Sequence, residues 1–101
     1  MINLKIMISI NKSKVPYDEM MEACRNDIPL INEVDMEWKI WLENKEEGII
    51  GGIYCYRDEE AFEKSMSQGK AKGLLPPLIE NISKQVFNVN EDLSKLNKAP
   101  I

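Results

Sequence analysis

The amino-terminal stretch of the chain alternates between apolar and polar side chains. Aliphatic residues occupy every second position, namely Ile2, Leu4, Ile6, Ile8 and Ile10. The positions between and after them hold Asn3, Lys5, Met7, Ser9 and Asn11. A period of two is typical of a β-strand with one strongly apolar face. The pattern therefore predicts a first strand over 2–10, followed by a turn over 11–14.

A helical period replaces the alternation after this turn. Apolar side chains recur at helical spacing, at Tyr17, Met20, Met21, Cys24 and Ile28. Charged side chains occupy the other side, at Asp18, Glu19, Glu22 and Arg25. This spacing predicts an amphipathic helix. Pro16 suits its first position, and the helix should end just before Pro29 or soon after it.

Two aromatic strands come next, predicted over 36–43 and 49–57 with a hairpin turn over 44–48 between them. Together they hold both tryptophans and two of the three tyrosines of the chain. In the strand over 36–43, alternation places Trp38, Ile40 and Leu42 on one face of the sheet. It places Glu37, Lys39, Trp41 and Glu43 on the other face. In the strand over 49–57, alternation places Gly52, Tyr54 and Tyr56 on one face and Gly51, Ile53 and Cys55 on the other.

A second helix is predicted to begin at Asp58, a favourable N-cap residue. Its inward side carries Ala61, Phe62, Ser65 and Met66. Gly69 and Gly73 weaken this helix, and the pair Pro76-Pro77 ends any continuation.

A short turn over 78–81, a fourth strand over 82–89 and a tail over 90–101 are predicted for the remainder. Leu93, Leu96 and Ile101 give the tail apolar anchor points, so we expect it to dock on a folded surface. At 101 residues the chain is expected to form a single domain, 1–101, with this docking tail at its end.

The order of the predicted elements is strand, helix, strand, strand, helix, strand. This is the order of the ferredoxin-like α+β fold, in which a four-stranded antiparallel sheet carries helices on one face. The predicted strands carry large apolar groups on both faces, whereas two helices cover only one. Because an exposed aromatic face favours association, the sequence predicts a homodimer whose two sheets pack face to face as a dimeric α+β barrel.

Composition disfavours several classes of function. The formal net charge is −4 and no cluster of Lys and Arg occurs, so we expect no binding to nucleic acid. No apolar run approaches the roughly 20 residues of a membrane span, so we expect no membrane association and a cytoplasmic location. The two cysteines, Cys24 and Cys55, lack metal-site spacing and are predicted to pack as small hydrophobic residues.

Three segments of the chain resemble a known family. They are WKIW at 38–41, GGIY at 51–54 with Asp58-Glu59, and VFNVNE at 86–91 with Leu93-Ser94 and Asn97. They make the chain similar to the YdhR-like mono-oxygenase family, closely over 34–98 and loosely over the first strand and helix. The resemblance implies the fold of the dimeric α+β barrel superfamily, in agreement with the order of elements, and a mono-oxygenase activity.

The resemblance further implies cofactor-independent oxygenation of a small aromatic molecule. An electron-rich phenol or hydroquinone supplies electrons to oxygen itself, so the protein needs a dry pocket, removal of a phenolic proton and stabilisation of the anion. The candidate catalytic residues are Tyr54 and Tyr56, whose hydroxyls would orient the substrate. The candidate substrate-binding residues are Trp38, Trp41, Met7, Lys39 and Gly52.

Each candidate also has a purely structural explanation. Positions three apart on a strand point to opposite faces, so Trp38 and Trp41 cannot line one pocket, and one of them belongs to the core or to a dimer interface. The tyrosines fit a hydrogen-bonded core equally well. The remaining alternatives are a gap-filling core position for Met7, solvent for Lys39 and Lys5, and a strand bend for Gly51 and Gly52.

The motifs that the chain lacks narrow the chemistry. Because it has no histidine, proton transfer by imidazole, Ser-His catalysis and His-ligated metal or haem are excluded. The segment GIIGGIY lies within a predicted strand and does not fit a phosphate-binding glycine motif, so no cofactor is predicted. Two alternatives to an enzyme stay open: a non-catalytic small-molecule binding or sensing dimer, and an interaction protein whose aromatic faces serve dimerisation alone.

Overall fold

The strands of the described residues form one antiparallel sheet. The structure, a computed structural model, describes residues 4–72 and 76–100, the side chains of 68–72 and 76 excepted. The strands are β1 (Lys5–Ser13), β2 (Trp38–Asn44), β3 (Ile49–Tyr56) and β4 (Ile79–Asn88), and their order across the sheet is β2-β3-β1-β4. Since every neighbouring pair is antiparallel, the predicted ferredoxin-like α+β fold is confirmed.

Two helices pack on one face of this sheet. They are α1 (Tyr17–Ile31) and α2 (Glu59–Lys72). Met20 and Cys24 of α1 form a buried cluster with Ile50 of β3. Ala61 of α2 is buried against Tyr56, near the end of the same strand. Both clusters lie on one side of β3, because Ile50 and Tyr56 are an even number of residues apart.

The face that the helices cover is the mixed, more polar face of β1. Met7 pairs with Tyr54, and Tyr54 pairs with Lys39, so these side chains share one face of the sheet. Met7 also belongs to the cluster with Ala61 of α2, which puts this face under the helices. The aliphatic row that starts with Ile6 therefore lies on the opposite face, turned away from α1 and α2.

We call this opposite side the open face. The pairing of the strands places on it Ile6, Ile8, Ile10, Trp38, Ile40, Leu42, Ile53, Cys55 and Phe87. Ile40 is 50% exposed and Phe87 is 48% exposed. Both faces of the sheet thus carry large apolar side chains, as the alternation predicts, and one of them is not covered by either long helix.

Several element boundaries differ from the predicted ones. β1 runs on to Ser13, three residues beyond the predicted end, because Ser13 pairs with Ile79 of β4. β4 accordingly begins at Ile79, and a short 3-10 turn over Pro76–Leu78 replaces the turn predicted over 78–81. The first helix begins at Tyr17, so Pro16 is its N-cap rather than its first residue, and it ends two residues after Pro29, as predicted. Ile2, Gly73 and Ile101, for which the sequence also made predictions, lie outside the described residues.

Local signals in the sequence agree with the elements that they predict. The Asp58 carboxylate accepts a hydrogen bond of 2.8 Å from the Ala61 amide, so Asp58 is the N-cap of α2 as predicted. Gly48 closes the hairpin turn between β2 and β3 with a φ of 68°. Cys24 and Cys55 are both buried and unpaired, which confirms that they pack as small hydrophobic residues.

The tail contains a helix that the sequence pattern did not predict. It is α3 (Glu91–Leu96), and Asn90 caps it by accepting a 3.0 Å hydrogen bond from the Leu93 amide. Leu93 and Leu96 are 61% and 79% exposed, so docking of the tail stays a prediction. No helix of residues 4–72 and 76–100 is long and apolar enough to cross a membrane.

The two glycines of β3 meet different neighbours. A Cβ on Gly51 would lie 2.2 Å from the Ser9 carbonyl oxygen, so this glycine lets the backbones of β3 and β1 approach closely. A Cβ on Gly52 would lie 2.8 Å from Cε of Lys39, which is part of a flexible side chain. Gly51 therefore has a backbone role, whereas Gly52 provides room for a side chain.

Gly51→Ala should destabilise the protein by about 1–3 kcal/mol, because the new methyl group meets backbone that cannot move without shifting β1. Gly52→Ala is the matched control and should cost less, since the Lys39 stem can turn aside. Urea unfolding of the two variants measures the difference. Equal free energies of unfolding for Gly51→Ala and the unmodified protein would contradict this account.

Candidate functional site

A cavity of about 480 Å³ lies between the sheet and its helices. This volume is within the roughly 300–1,000 Å³ that is usual for small-molecule sites. The sheet contributes Met7, Lys39, Trp41, Tyr54 and Tyr56 to its walls, and Met36 and Met66 close it from the other side. The lining thus combines aromatic, thioether and aliphatic side chains with several polar groups.

Lys39 reaches across the floor of this cavity between two aromatic rings. Its Nζ lies 3.4 Å from the ring centroid of Trp41 and 4.6 Å from that of Tyr54. The space for the side chain comes from Gly52, which lies opposite Trp41 on the neighbouring strand. Aromatic faces stabilise an ammonium group through their negative potential. The three neighbours therefore hold the lysine in place without a carboxylate.

Burial lowers the pKa of Lys39 from the ordinary 10.5 to about 8, and the charges of Cys24 and Asp27 offset part of this effect. Removing an ammonium from water disfavours its charged form. Lys39 therefore titrates close to physiological pH, whereas a lysine in solvent does not.

The two tyrosines respond to the same environment in the opposite direction. Burial raises the pKa of Tyr54, with a smaller contribution from Cys24. Burial also raises the pKa of Tyr56 well above its usual range, and its ring packs edge-on against Phe62 with centroids 5.3 Å apart. Both phenols consequently stay protonated at neutral pH, so they can donate hydrogen bonds but cannot act as bases there.

A chain of polar side chains forms another wall, and the sequence pattern did not identify it. Asn11 is 7% exposed, and its Nδ2 donates to the Ile50 carbonyl at 3.2 Å. The amide of Asn81 on β4 donates to Asn11 Oδ1 at 2.9 Å. Ser9 and Lys84 line the cavity nearby. The signal available in the sequence was the polar row of β1, which holds Ser9 and Asn11 as well as Met7.

The loop after α1 closes the cavity and is tied to its surroundings at Asp35. The Arg57 guanidinium contacts both carboxylate oxygens of Asp35, at 2.6 and 3.1 Å, and lowers the pKa of that carboxyl. Ser65 of α2, which is buried, donates to the Asp35 carbonyl at 2.5 Å. These contacts fix the position of the adjacent Met36 in the cavity wall.

The structure brings most of the predicted site residues together. Met7, Lys39, Trp41, Tyr54 and Tyr56 line the cavity. Gly52, also predicted to bind substrate, does not line it, because the Lys39 side chain lies over this glycine. Trp38 lies on the open face, since it pairs with Cys55 rather than with a cavity residue. Lys5, the second lysine considered, forms an ion pair with Glu59 at 3.2 Å. The roles assigned to these residues stay predictions.

A metal site is not apparent in this part of the molecule. Among the described residues, no group of three or more cysteines and carboxylates is arranged to hold a metal ion. The absence of a cofactor likewise stays a prediction from the sequence.

Known structures share this fold, and one of them is described as a cofactor-independent oxygenase. MupZ from Pseudomonas fluorescens superposes with a TM-score of 0.72 at 12% identity, over 97% of this chain and 77% of that one. SnoaB from Streptomyces nogalater, described as a cofactor-independent oxygenase, superposes with a TM-score of 0.70 at 10% identity, over 87% of this chain and 94% of that one. Identities this low show a common fold and nothing finer. By fold, the protein is therefore a ferredoxin-like α+β protein.

The chain belongs to the mono-oxygenase family described as "Putative mono-oxygenase ydhR", whose model matches residues 4–100. This match confirms the resemblance seen in the sequence and supports a general oxygenase function. SO0527 from Shewanella oneidensis shares the fold with a TM-score of 0.61 at 16% identity, over 88% of this chain and 91% of that one. No curated protein matches the sequence.

The contact between Lys39 and Trp41 predicts a pH-dependent fluorescence signal. In a Trp38→Phe variant Trp41 is the one remaining tryptophan, since the chain has two. Its emission should change with a midpoint near pH 8, where Lys39 loses the proton that perturbs the indole ring. Adding Lys39→Met should remove the transition, whereas adding Lys45→Met, which removes an exposed lysine stacked on Tyr17, should not. A midpoint above pH 10 would show that Lys39 is solvated.

Proposed function

We propose that this protein is a cofactor-independent mono-oxygenase that acts on a small aromatic molecule of the phenol or hydroquinone type. The observation that carries the proposal is the position of Lys39, whose amine lies between the rings of Trp41 and Tyr54 inside a cavity. The mono-oxygenase family of the chain supports the reaction class. The shared fold with SnoaB, described as a cofactor-independent oxygenase, agrees with a reaction that the substrate drives itself.

Such a reaction balances without an external reductant. A hydroquinone and O2 give a hydroxyquinone and water, since one oxygen atom enters the ring and the other leaves with two substrate hydrogens. The substrate must first lose a phenolic proton, because the phenolate gives up electrons to O2 far more readily than the phenol. The protein's task is therefore to bind the ring, stabilise the phenolate and exclude water.

The cavity offers a group for each part of this task. The ring of Trp41 is available to stack on the substrate. Lys39 in its ammonium form would face the phenolate oxygen and stabilise its negative charge, which lowers the pKa of the bound phenol. Tyr54 and Tyr56 stay protonated, so each can donate a hydrogen bond that fixes the same oxygen or its neighbour. Met7 provides an apolar wall.

Oxygen uptake with a panel of substituted hydroquinones tests the proposal. We expect turnover without added cofactor, and a kcat/KM reduced roughly tenfold to a hundredfold in Tyr54→Phe, since hydrogen bonds to charged groups contribute about 1.5–3 kcal/mol. Tyr56→Phe should reduce it in the same way. Trp38→Phe, a change on the open face, serves as the matched aromatic control and should retain activity.

The outcomes separate the candidate functions. Saturable ligand binding without oxygen uptake would identify a binding or sensing protein in place of an enzyme. No uptake with any hydroquinone, together with unchanged ligand binding in Tyr54→Phe and Tyr56→Phe, would refute the mono-oxygenase proposal.

We also propose that two copies of the chain pair through the open face. Its aliphatic row on β1 and the apolar residues of β2 and β3 form an apolar surface, which Phe87 extends onto β4 beside the polar Ser83 and Gln85. Ile40 stands near the middle of β2 and is half exposed. An apolar surface of this kind favours burial against a second copy related by a two-fold axis. Trp38 then belongs to the dimer interface.

Ile40→Glu should weaken this dimer by roughly a hundredfold or more, because the two-fold axis would bury two unpaired carboxylates at once. Light scattering after gel filtration measures the mass. Ile28→Glu changes an apolar residue of α1 that is also exposed, at 37%, and should leave the dimer intact. An unmodified protein that runs as a monomer at micromolar concentration would contradict the pairing.

A further inference from the structure

We propose that the cavity selects aromatic anions: its ligand carries a negatively charged oxygen, on a phenol or a carboxylate, and Lys39 is the counter-ion. This inference rests on the proposed function in taking the same cavity as the substrate site. It concerns the charge of the ligand and not its oxidation. It therefore narrows the substrate to acidic phenols and aromatic acids and excludes neutral aromatic compounds.

The charge of the cavity is opposite to that of the chain. The sequence holds 17 acidic and 13 basic residues, for a net charge of −4. Among the described residues that line the cavity, the charged ones are Lys39 and Lys84, and no Asp or Glu is present. A recess lined by one sign of charge raises the local concentration of the opposite ion. An acidic protein with a cationic recess is suited to admit a small anion.

Lys39 has no ion-pair partner in the described part of the chain. Three other cations do have one: Lys5 pairs with Glu59, while Arg57 and Lys64 pair with Asp35. A partly buried ammonium is costly unless it is paired, and aromatic rings compensate only part of that cost. A ligand with an anionic oxygen would supply the ion-pair partner that Lys39 lacks.

The groups that face Lys39 from neighbouring elements do not take this place. Cys24 and Asp27 act on it from α1 by charge alone, and Tyr54 contributes a ring from β3. Asp27 does not line the cavity, and none of the ion pairs of the described residues joins its carboxylate to Lys39, so it acts on the ammonium from beyond ion-pair distance. The cavity is therefore the side from which an anionic ligand can reach Lys39.

Lys84 extends the cationic surface across the sheet. Ser9 pairs with Gly52 on one side and with Lys84 on the other, so Lys84 lies on the same face, two strands from Gly52. Two strand spacings are about 10 Å, which is close to the length of a substituted benzene ring with its polar groups. The amides of Asn11 and Asn81 lie on the same polar side of the cavity.

Binding of para-nitrophenol tests the inference directly, because its phenolate absorbs visible light and its phenol does not. We expect the bound compound to ionise at a lower pH than the free compound, with affinity roughly tenfold or more above that of para-nitroanisole, its neutral ether, since charge-assisted hydrogen bonds are the stronger ones. Lys39→Met should abolish both effects. Lys39→Arg and the surface control Lys45→Met should keep the preference for the anion.

A second pair of probes separates the two sources of negative charge. Para-nitrobenzoate should bind more tightly than para-nitrobenzamide below pH 8, and this difference should decline as the pH rises above about 8, where Lys39 begins to lose its proton in the free protein. This arm uses the unmodified protein and needs no variant to fold. Preference for both anions would support the inference for the whole class, and preference for the phenolate alone would support it for acidic phenols.

Equal affinity for each anion and its neutral counterpart would overturn the inference, even if hydroquinones consume oxygen and the proposed function holds. So would an anion preference that survives in a folded Lys39→Met variant. Anion preference without oxygen uptake would leave the inference standing and refute the mono-oxygenase proposal. The two proposals can therefore fail independently.

Discussion

The burial of Lys39 against two aromatic rings is the interaction around which this site is organised. Gly52 leaves the space that the lysine stem occupies, and Trp41 and Tyr54 supply the faces that its ammonium contacts. No carboxylate among the described residues forms an ion pair with Lys39. The charge of its ammonium group is therefore left without a counter-ion on the side that faces the cavity. A shift of β2 against β3 would separate these partners, so the pairing of this hairpin is also what fixes the chemistry of the site.

Alternation along β2 was enough to show that Trp38 and Trp41 take opposite faces, and the pairing with β3 confirms it. It did not decide which tryptophan enters the cavity, because both faces carry large apolar side chains. The position of the helices decides it, and that depends on contacts between residues distant in the sequence. The polar wall was missed for a related reason. Asn81 reaches Asn11 only because β4 begins early and its register shifts after Ile10, and no local pattern indicates such a shift.

One strand connects the cavity with the open face. β3 presents Tyr54 and Tyr56 to the cavity, while Ile53 and Cys55, which alternate with them, lie on the other side of the sheet. Close packing transmits a displacement of such a strand to both faces. Gly51 strengthens this link, because the absence of a Cβ lets β3 lie close to the Ser9 carbonyl of β1, next to the cavity. If two copies pair through the open face, their interface therefore supports the floor of each cavity from below.

Burial acts on the lysine and the tyrosines of the cavity in opposite senses, and the two effects cooperate. It lowers the pKa of Lys39 because the ammonium is the charged form, and it raises the pKa of Tyr54 and Tyr56 because the phenolate is the charged form. An empty cavity thus favours neutral groups throughout. An anionic ligand reverses this preference at Lys39 alone, since its charge favours the ammonium and further disfavours ionised tyrosines. Binding would then leave one ammonium, one ligand anion and two phenol donors, an arrangement in which every group is in the protonation state that stabilises a phenolate.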